Sequence, residues 1–243
     1  MTDATAASVR RALAEEGPTP TRTWALLPYD TDTFPFADVL RRDVYRVPDL
    51  ARLHEYVRES RARRGQRERL TAADNIAVRE MMQRLPDGAT FYTVYRAFMV
   101  HVLTRLVGRG ISYSSHPKMR VHFPGTGSVS SFHHDIVVTK RVDQVNVWVP
   151  FVDVEGTATI WLESDYGAAD YAPVPVRYGE ALLFDGGYLG HGTVRNEEDV
   201  TRLSMDLRFS YKKASTRAES VALMDAVAGA LERRGQRVGR RAA

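Results

Sequence analysis

The spacing of apolar positions changes part-way along the chain. In the first part it is helical: Val78, Met81, Met82 and Leu85 follow the capping-box sequence Thr71-Ala72-Ala73-Asp74, and Pro86-Asp87-Gly88 marks the stop. Phe91, Val94, Phe98, Val102 and Leu106 form the stripe of a further helix over about 90–107, ended by Gly108 to Gly110. From Met119 onward short β-branched and aromatic runs alternate with Gly, Pro and Asp. Strands are predicted over 119–123, 132–138, 144–152, 157–163, 174–178, 181–184, 192–194 and 202–211. Beyond them, Thr216-Arg217-Ala218-Glu219 opens a last helix through Val221, Met224, Val227 and Leu231, with Gly235 as terminator.

No helix-length segment separates the strands, which disfavours a parallel α/β sheet. The order predicts a mainly β protein with helices (α+β), a double-stranded β-helix or jelly roll of the cupin type. A chain of 243 residues can bury one such core. Residues 1–110 would be a mainly helical buttress, 111–211 the jelly-roll core, and 212–243 a C-terminal helix with a basic tail.

Composition narrows the function. With 44% hydrophobic and 26% charged residues the chain is an ordinary globular sequence, and no eighteen-residue apolar run predicts a membrane span. The opening Met-Thr-Asp-Ala-Thr-Ala-Ala-Ser has no charged-then-apolar leader, so a cytoplasmic protein is expected. The 34 Lys and Arg against 30 Asp and Glu give +4, with the excess gathered at 58–69 and 233–241. Neither stretch interleaves aromatics or carries a reading motif, so a solvated surface and a frayed tail are expected rather than a nucleic-acid site. The absence of cysteine restricts any metal site to His, Asp and Glu.

Those residues occur in a telling pattern. In Phe132-His133-His134-Asp135, residues i and i+2 of a strand share a face, so His133 and Asp135 can reach one ion while His134 points away. His191, between Gly190 and Gly192, supplies a second imidazole from a later strand. Two histidines and one carboxylate cap one octahedral face and leave three positions open, as in non-heme Fe(II) oxygenases. Arg202, two places before Ser204 on a strand, offers a guanidinium fork for a carboxylate with a hydroxyl beside it.

Alternation extends the list. Ser204, Asp206 and Arg208 share the face of Arg202; likewise Arg120 goes with His122, Asn146 with Trp148, and Trp161 with Glu163. Asn146 is grouped with Arg202 and Ser204 as a cofactor contact, while Arg120, His122, Trp148, Glu163, Asp206 and Arg208 are candidate substrate residues. Asp206 and Arg208 have a second reading, as an ion pair with each other. The surplus arginines suit a small polar substrate with an anionic or zwitterionic group, such as an amino acid, an aminocyclitol or a sugar-like intermediate. Loops 126–130 and 164–172 are placed to cover the mouth.

Two other functions fit the triad alone: a zinc-type hydrolase or isomerase, and a non-catalytic cupin-like binding module. Arg202 separates them from an oxygenase, because a hydrolase needs no second carboxylate anchor there.

The stretch 118–209 resembles the Fe(II)/2-oxoglutarate-dependent oxygenases, in particular the phytanoyl-CoA-dioxygenase-like and streptomycin-biosynthesis-type branch. The resemblance is carried by Met119-Arg120-Val121-His122-Phe123-Pro124-Gly125, by Phe132-His133-His134-Asp135 and by Val145-Asn146-Val147-Trp148-Val149-Pro150. Further blocks are Trp161-Leu162-Glu163-Ser164, Tyr178-Gly179-Glu180, His191-Gly192, Asn196 and Thr201-Arg202-Leu203-Ser204-Met205-Asp206-Leu207-Arg208-Phe209. It implies that His133, Asp135 and His191 hold Fe(II), and that Arg202 with Ser204 binds the distal carboxylate of 2-oxoglutarate. In halogenating relatives a small residue replaces the carboxylate; Asp135 therefore implies hydroxylation, with desaturation, epoxidation or ring formation as variants. The helical first half carries no matching motif.

Overall fold

Burial of alternate side chains sets the strands. A computed structural model describes residues 18–108, 110–211 and 216–241, so the opening octapeptide read for a leader lies outside the described residues. In chain order the strands are β1 (Arg22–Pro28), β2 (Ile111–Tyr113), β3 (Lys118–His122), β4 (Val145–Pro150), β5 (Ile160–Leu162), β6 (Ala172–Val174), β7 (Glu180–Phe184), β8 (His191–Gly192), β9 (Arg202–Tyr211) and β10 (Val238–Arg240). They make two antiparallel sheets. The larger runs β10-β1-β7-β4-β9-β2, with β3 on the same edge of β9 as β2, and the smaller runs β6-β5-β8. On β9, Leu203, Met205, Leu207 and Phe209 are buried on one face, while Arg202, Asp206, Arg208 and Ser210 reach a cavity on the other.

Helices cover the outside of the larger sheet. They are α1 (Phe36–Val39, running into a π segment, Leu40–Tyr45), α2 (Leu53–Ala62), α3 (Ala72–Gln83), α4 (Thr90–Phe98, continued by a π segment, Met99–Thr104), α5 (Arg105–Val107), α6 (Asp135–Thr139) and α7 (Arg217–Arg233). Helix α3 packs on β3 and α7 on β1. Both predicted capping boxes form: Thr71 N–H donates to Asp74 at 2.7 Å, and Thr216 N–H to Glu219 at 2.8 Å. Between α1, α4 and the sheet, Tyr29, Phe36, Phe91, Phe98 and Phe151 meet edge-on or tilted at 5.3–6.0 Å. Each such contact adds about 1 kcal/mol beyond its area burial.

Three strands lie where none was predicted. β1 reads Arg-Thr-Trp-Ala-Leu-Leu-Pro and sits between β10 and β7 with α7 on its face, so its apolar residues run on rather than alternate. β2 is three residues long, too short to show a period. β10 lies in the tail expected to fray; Val238 pairs with Ala25, and Gly239 lies against the Trp24 indole where a Cβ would fall 2.0 Å from Nε1. The predicted strand over 132–138 also differs. His133 makes a single bridge, and α6 begins at Asp135 because the Asp135 and Ile136 amides donate to the Gly186 and Gly187 carbonyls rather than to a strand partner. The helix turns Val137 and Val138 to solvent. No helix among the described residues is long and apolar enough to cross a membrane.

Candidate active site

A single antiparallel bridge brings the two imidazoles together. His133 and His191 exchange N–H···O bonds, both 3.0 Å, and their rings stand 4.4 Å apart between centroids. The next residue, His134, is extended (φ −118°, ψ 132°), which returns Asp135 to the same side. His133 Nε2 is 3.5 Å and His191 Nε2 3.9 Å from the Asp135 carboxylate oxygens. One donor atom from each of the three lies within 4.8 Å of the others, a set that could hold a metal ion.

Both rings are held in the tautomer a metal needs. His133 Nδ1 stands 2.7 Å from the Ser131 carbonyl and His191 Nδ1 3.0 Å from that of Leu189, so each Nδ1–H has an acceptor and Nε2 of each ring is turned toward Asp135. Burial works to raise the Asp135 pKa, but the His133 hydrogen bond, the neighbouring His191 and Arg208, and the Asn146 amide together hold it below the usual carboxylate range. That hydrogen bond to Asp135 raises His133, whereas burial pushes His191 down to about 4. The glycines beside His191 are required by close approach: a Cβ on Gly190 would fall 1.8 Å from Glu163 Oε1, and one on Gly192 2.7 Å from the Phe132 ring.

The loop carrying these contacts is pinned from outside. Asp185 receives both Arg217 terminal nitrogens at 2.7 and 2.6 Å and the Tyr166 hydroxyl at 2.8 Å, while the guanidinium lies 4.1 Å from the Tyr188 ring centroid. From this buried pair the chain runs through the Gly186 and Gly187 carbonyls, which receive α6, to the Leu189 carbonyl that orients His191.

A cavity of about 480 Å³ opens beside the three residues, walled by β2, β3, β4 and β9 on one side and by β5 and β8 on the other. Arg202 lies in it, 1% exposed, and neither its Nε nor its Nη1 has a partner; the buried Ser204 hydroxyl and the Asn146 side-chain carbonyl are also unpartnered. Its guanidinium carbon is 5.8 Å from the Trp148 ring centroid. Burial pushes its pKa down to about 10, against the attraction of Asp206. His122, fully buried, is pushed down to about 3, by burial first and then by the Arg202 cation, and is therefore neutral.

The remaining candidates divide by position. Trp148, Asn146, Arg120, Asp206 and Arg208 line the cavity with Arg202, whereas His122 stands behind that wall. Asp206 and Arg208 are not paired with each other. Asp206 accepts from Arg120 Nε at 3.0 Å, and Arg208 gives Nε and Nη2 to the two Asp135 oxygens at 2.6 and 2.5 Å. Glu163 lies outside the cavity, accepting from His134 at 2.9 Å, from the Tyr171 hydroxyl at 3.2 Å and from the Ala168 amide at 3.1 Å. Trp161 donates its indole N–H to the Gly156 carbonyl. Of the two loops placed over the mouth, 126–130 contributes Ser130 to the lining; 164–172 contributes none, and its Tyr171 ring lies tilted on Phe132 at 3.9 Å. Sequence reasoning missed Lys118 and Arg141, which also line the cavity. Lys118 fell one residue outside the predicted strand, and no local pattern marks Arg141.

No family model matches the chain. Streptomycin biosynthesis protein StrG from Streptomyces griseus is 34% identical over 176 residues, which span 70% of this chain and 82% of that protein. Among solved structures, EctD from S. alaskensis in its apo form superposes with a TM-score of 0.51 at 15% identity, over 89% of this chain and 81% of that one; this likeness is one of fold. The chain belongs to the family of streptomycin biosynthesis protein StrG.

Proposed function

We propose that this protein hydroxylates a small polar metabolite in antibiotic biosynthesis, with Fe(II), 2-oxoglutarate and O2, and that its two sheets are the faces of a jelly roll. His133, Asp135 and His191 would hold the iron, and Arg202 with Ser204 the distal carboxylate of 2-oxoglutarate. When bound, these cofactors supply oxidative decarboxylation of 2-oxoglutarate to succinate and CO2, coupled to oxidation of an unactivated C–H bond.

The observation that carries the reading is the buried, unpartnered Arg202. A cation with no adjacent carboxylate and two unsatisfied nitrogens costs several kcal/mol unless an anion enters. A carboxylate there would accept a bidentate pair, take a hydroxyl donor from Ser204 and leave neutral His122 beside it uncharged. The same residues then have defined tasks. The Ser131 and Leu189 carbonyls would hold Nδ1–H of both imidazoles and leave Nε2 to a metal, the Asn146 amide holds one Asp135 oxygen at 2.6 Å, and Trp148 walls the site against water. Asp135 occupies the position that a small residue takes in halogenating relatives, which favours oxygen insertion. The relative's role in streptomycin biosynthesis and the polar cavity wall support a small polar substrate.

Anaerobic addition of Fe(II) and then 2-oxoglutarate should produce a visible metal-to-cosubstrate charge-transfer band, and O2 should then release succinate. Asp135→Ala should abolish both while keeping the fold by circular dichroism. A protein that gives no band at saturating iron and cosubstrate, or a variant that gives the same band, overturns the assignment.

A further inference from the structure

The outer half of the cavity holds cations that the oxygenase reading leaves without a task. β3 presents Lys118 and Arg120 two residues apart on one face. Across the sheet Asp206 is the register partner of Lys118, and Arg208 is two residues further along β9. Arg120 gives only Nε to Asp206; its terminal nitrogens bond nothing else among the described residues, and neither does the Lys118 ammonium. Arg208 is ion-paired with Asp135, whose charge a bound metal would claim. Arg141 is neutralised by Asp143 at 3.0 and 2.8 Å. With a metal on Asp135, three cations would face one carboxylate, an excess of two positive charges.

Such an array is unfavourable as it stands, because like charges on one strand face repel. The Lys118 pKa is lowered, first by the Arg120 cation and then by burial, with Arg208 acting in the same sense. An entering group of two negative charges would remove the imbalance, whereas a carboxylate would meet half of it. Ser112 and Ser210, paired in register between β2 and β9, add hydroxyl donors on the same wall. A phosphate monoester has both the charge and three acceptor oxygens for two guanidinium forks and an ammonium.

We infer that Lys118, Arg120 and Arg208 form a clamp for a phosphate monoester on the substrate, which would lie with its phosphate on this wall and its reacting carbon toward His133. The inference rests on the proposed oxygenase reading and narrows its substrate to a phosphorylated small polar molecule.

The test uses the full chain carrying Ni(II) in place of iron and saturated with 2-oxoglutarate, so that Arg202 is already occupied. Calorimetric titration with inorganic phosphate should show one site, bound more tightly than acetate at the same ionic strength. Lys118→Ala and Arg120→Ala should each weaken it about tenfold or more, with uptake of metal and 2-oxoglutarate unchanged. Three results overturn the clamp while the oxygenase reading stands: no phosphate binding by a protein that takes up metal and 2-oxoglutarate, acetate bound as tightly as phosphate, or phosphate affinity in both variants unchanged from the parent, which would mark an adventitious ion only. A protein that takes up neither metal nor 2-oxoglutarate overturns the oxygenase reading, and the clamp falls with it.

Discussion

Arg202 shows how a single residue can be costly for the fold and necessary for the site. Its guanidinium has surrendered water without gaining a bonded counter-ion; Asp206 attracts it without touching it, and His122, its register partner on β3, is uncharged. Arg202→Met keeps the bulk of the side chain and removes the unpaired charge. The variant without cofactors should be at least as heat-stable as the parent, while its affinity for 2-oxoglutarate falls roughly 10- to 100-fold, the worth of charged hydrogen bonds to a carboxylate. Metal affinity should be unchanged, because Arg202 touches none of the three candidate ligands. Melting curves and anaerobic 2-oxoglutarate titrations read the two effects separately. A large loss of stability with unaltered 2-oxoglutarate affinity would mean that Arg202 is structural.

At the scale of elements, the candidate metal site depends on a loop fixed from α7. Asp185 begins that loop, Leu189 near its end orients His191, and the Arg217 pair that holds Asp185 is buried on both sides. Asp185→Ala leaves the guanidinium and the Tyr166 hydroxyl without their acceptor, which should cost about 3 kcal/mol or more in urea unfolding and also weaken metal binding. Thr216→Ala, which removes only the α7 cap, should cost about 1 kcal/mol and leave metal affinity alone. Equal metal affinity in both variants would show that the loop holds its shape without the pair. This coupling is also where sequence reading stopped. Strand β9, both capping boxes and the spacing of His133 and Asp135 were legible because each is a local period or spacing, whereas His191 lies far along the chain and was marked by its flanking glycines and by the resemblance. The Asp185–Arg217 pair joins residues far apart in sequence and has no period. α6 was read as strand because Ile136, Val137 and Val138 are β-branched, a preference overridden by two amide bonds to the 186–187 turn. Arg208 was legible as a residue facing the cavity; that it reaches Asp135 rather than Asp206 depends on α6 and the cross-strand register.

For the molecule as a whole, the burial that shapes the site sets a pH dependence of stability. In the unfolded chain His122 titrates near 6.5, but in the fold burial and Arg202 push it down to about 3. Between those values the unfolded chain binds the proton and the folded one does not, so acid favours unfolding. The contribution is fully present above about pH 6.5 and is lost progressively toward pH 3. By pH 5 the loss amounts to about 2 kcal/mol, a large part of the net stability of a domain this size. His191, pushed down to about 4 by burial, acts in the same direction. His133 is raised and acts in the opposite sense, stabilising in acid and losing that contribution as pH rises through its folded value. Asp135, held low, loses its share only as pH falls below the ordinary carboxylate range near 4. With His54, also lowered by burial, three histidines oppose one between pH 7 and 5, and the urea midpoint of chelator-treated protein should fall across that interval. His122→Asn removes the titrating ring while keeping a donor for the Thr126 carbonyl that His122 Nε2 faces at 3.3 Å. Its stability at pH 7 should drop modestly, but its midpoint should decline less steeply with acid. A slope that matches the parent's would show that His122 is not held neutral in the fold, and with it that the Arg202 pocket is wetter than its burial indicates.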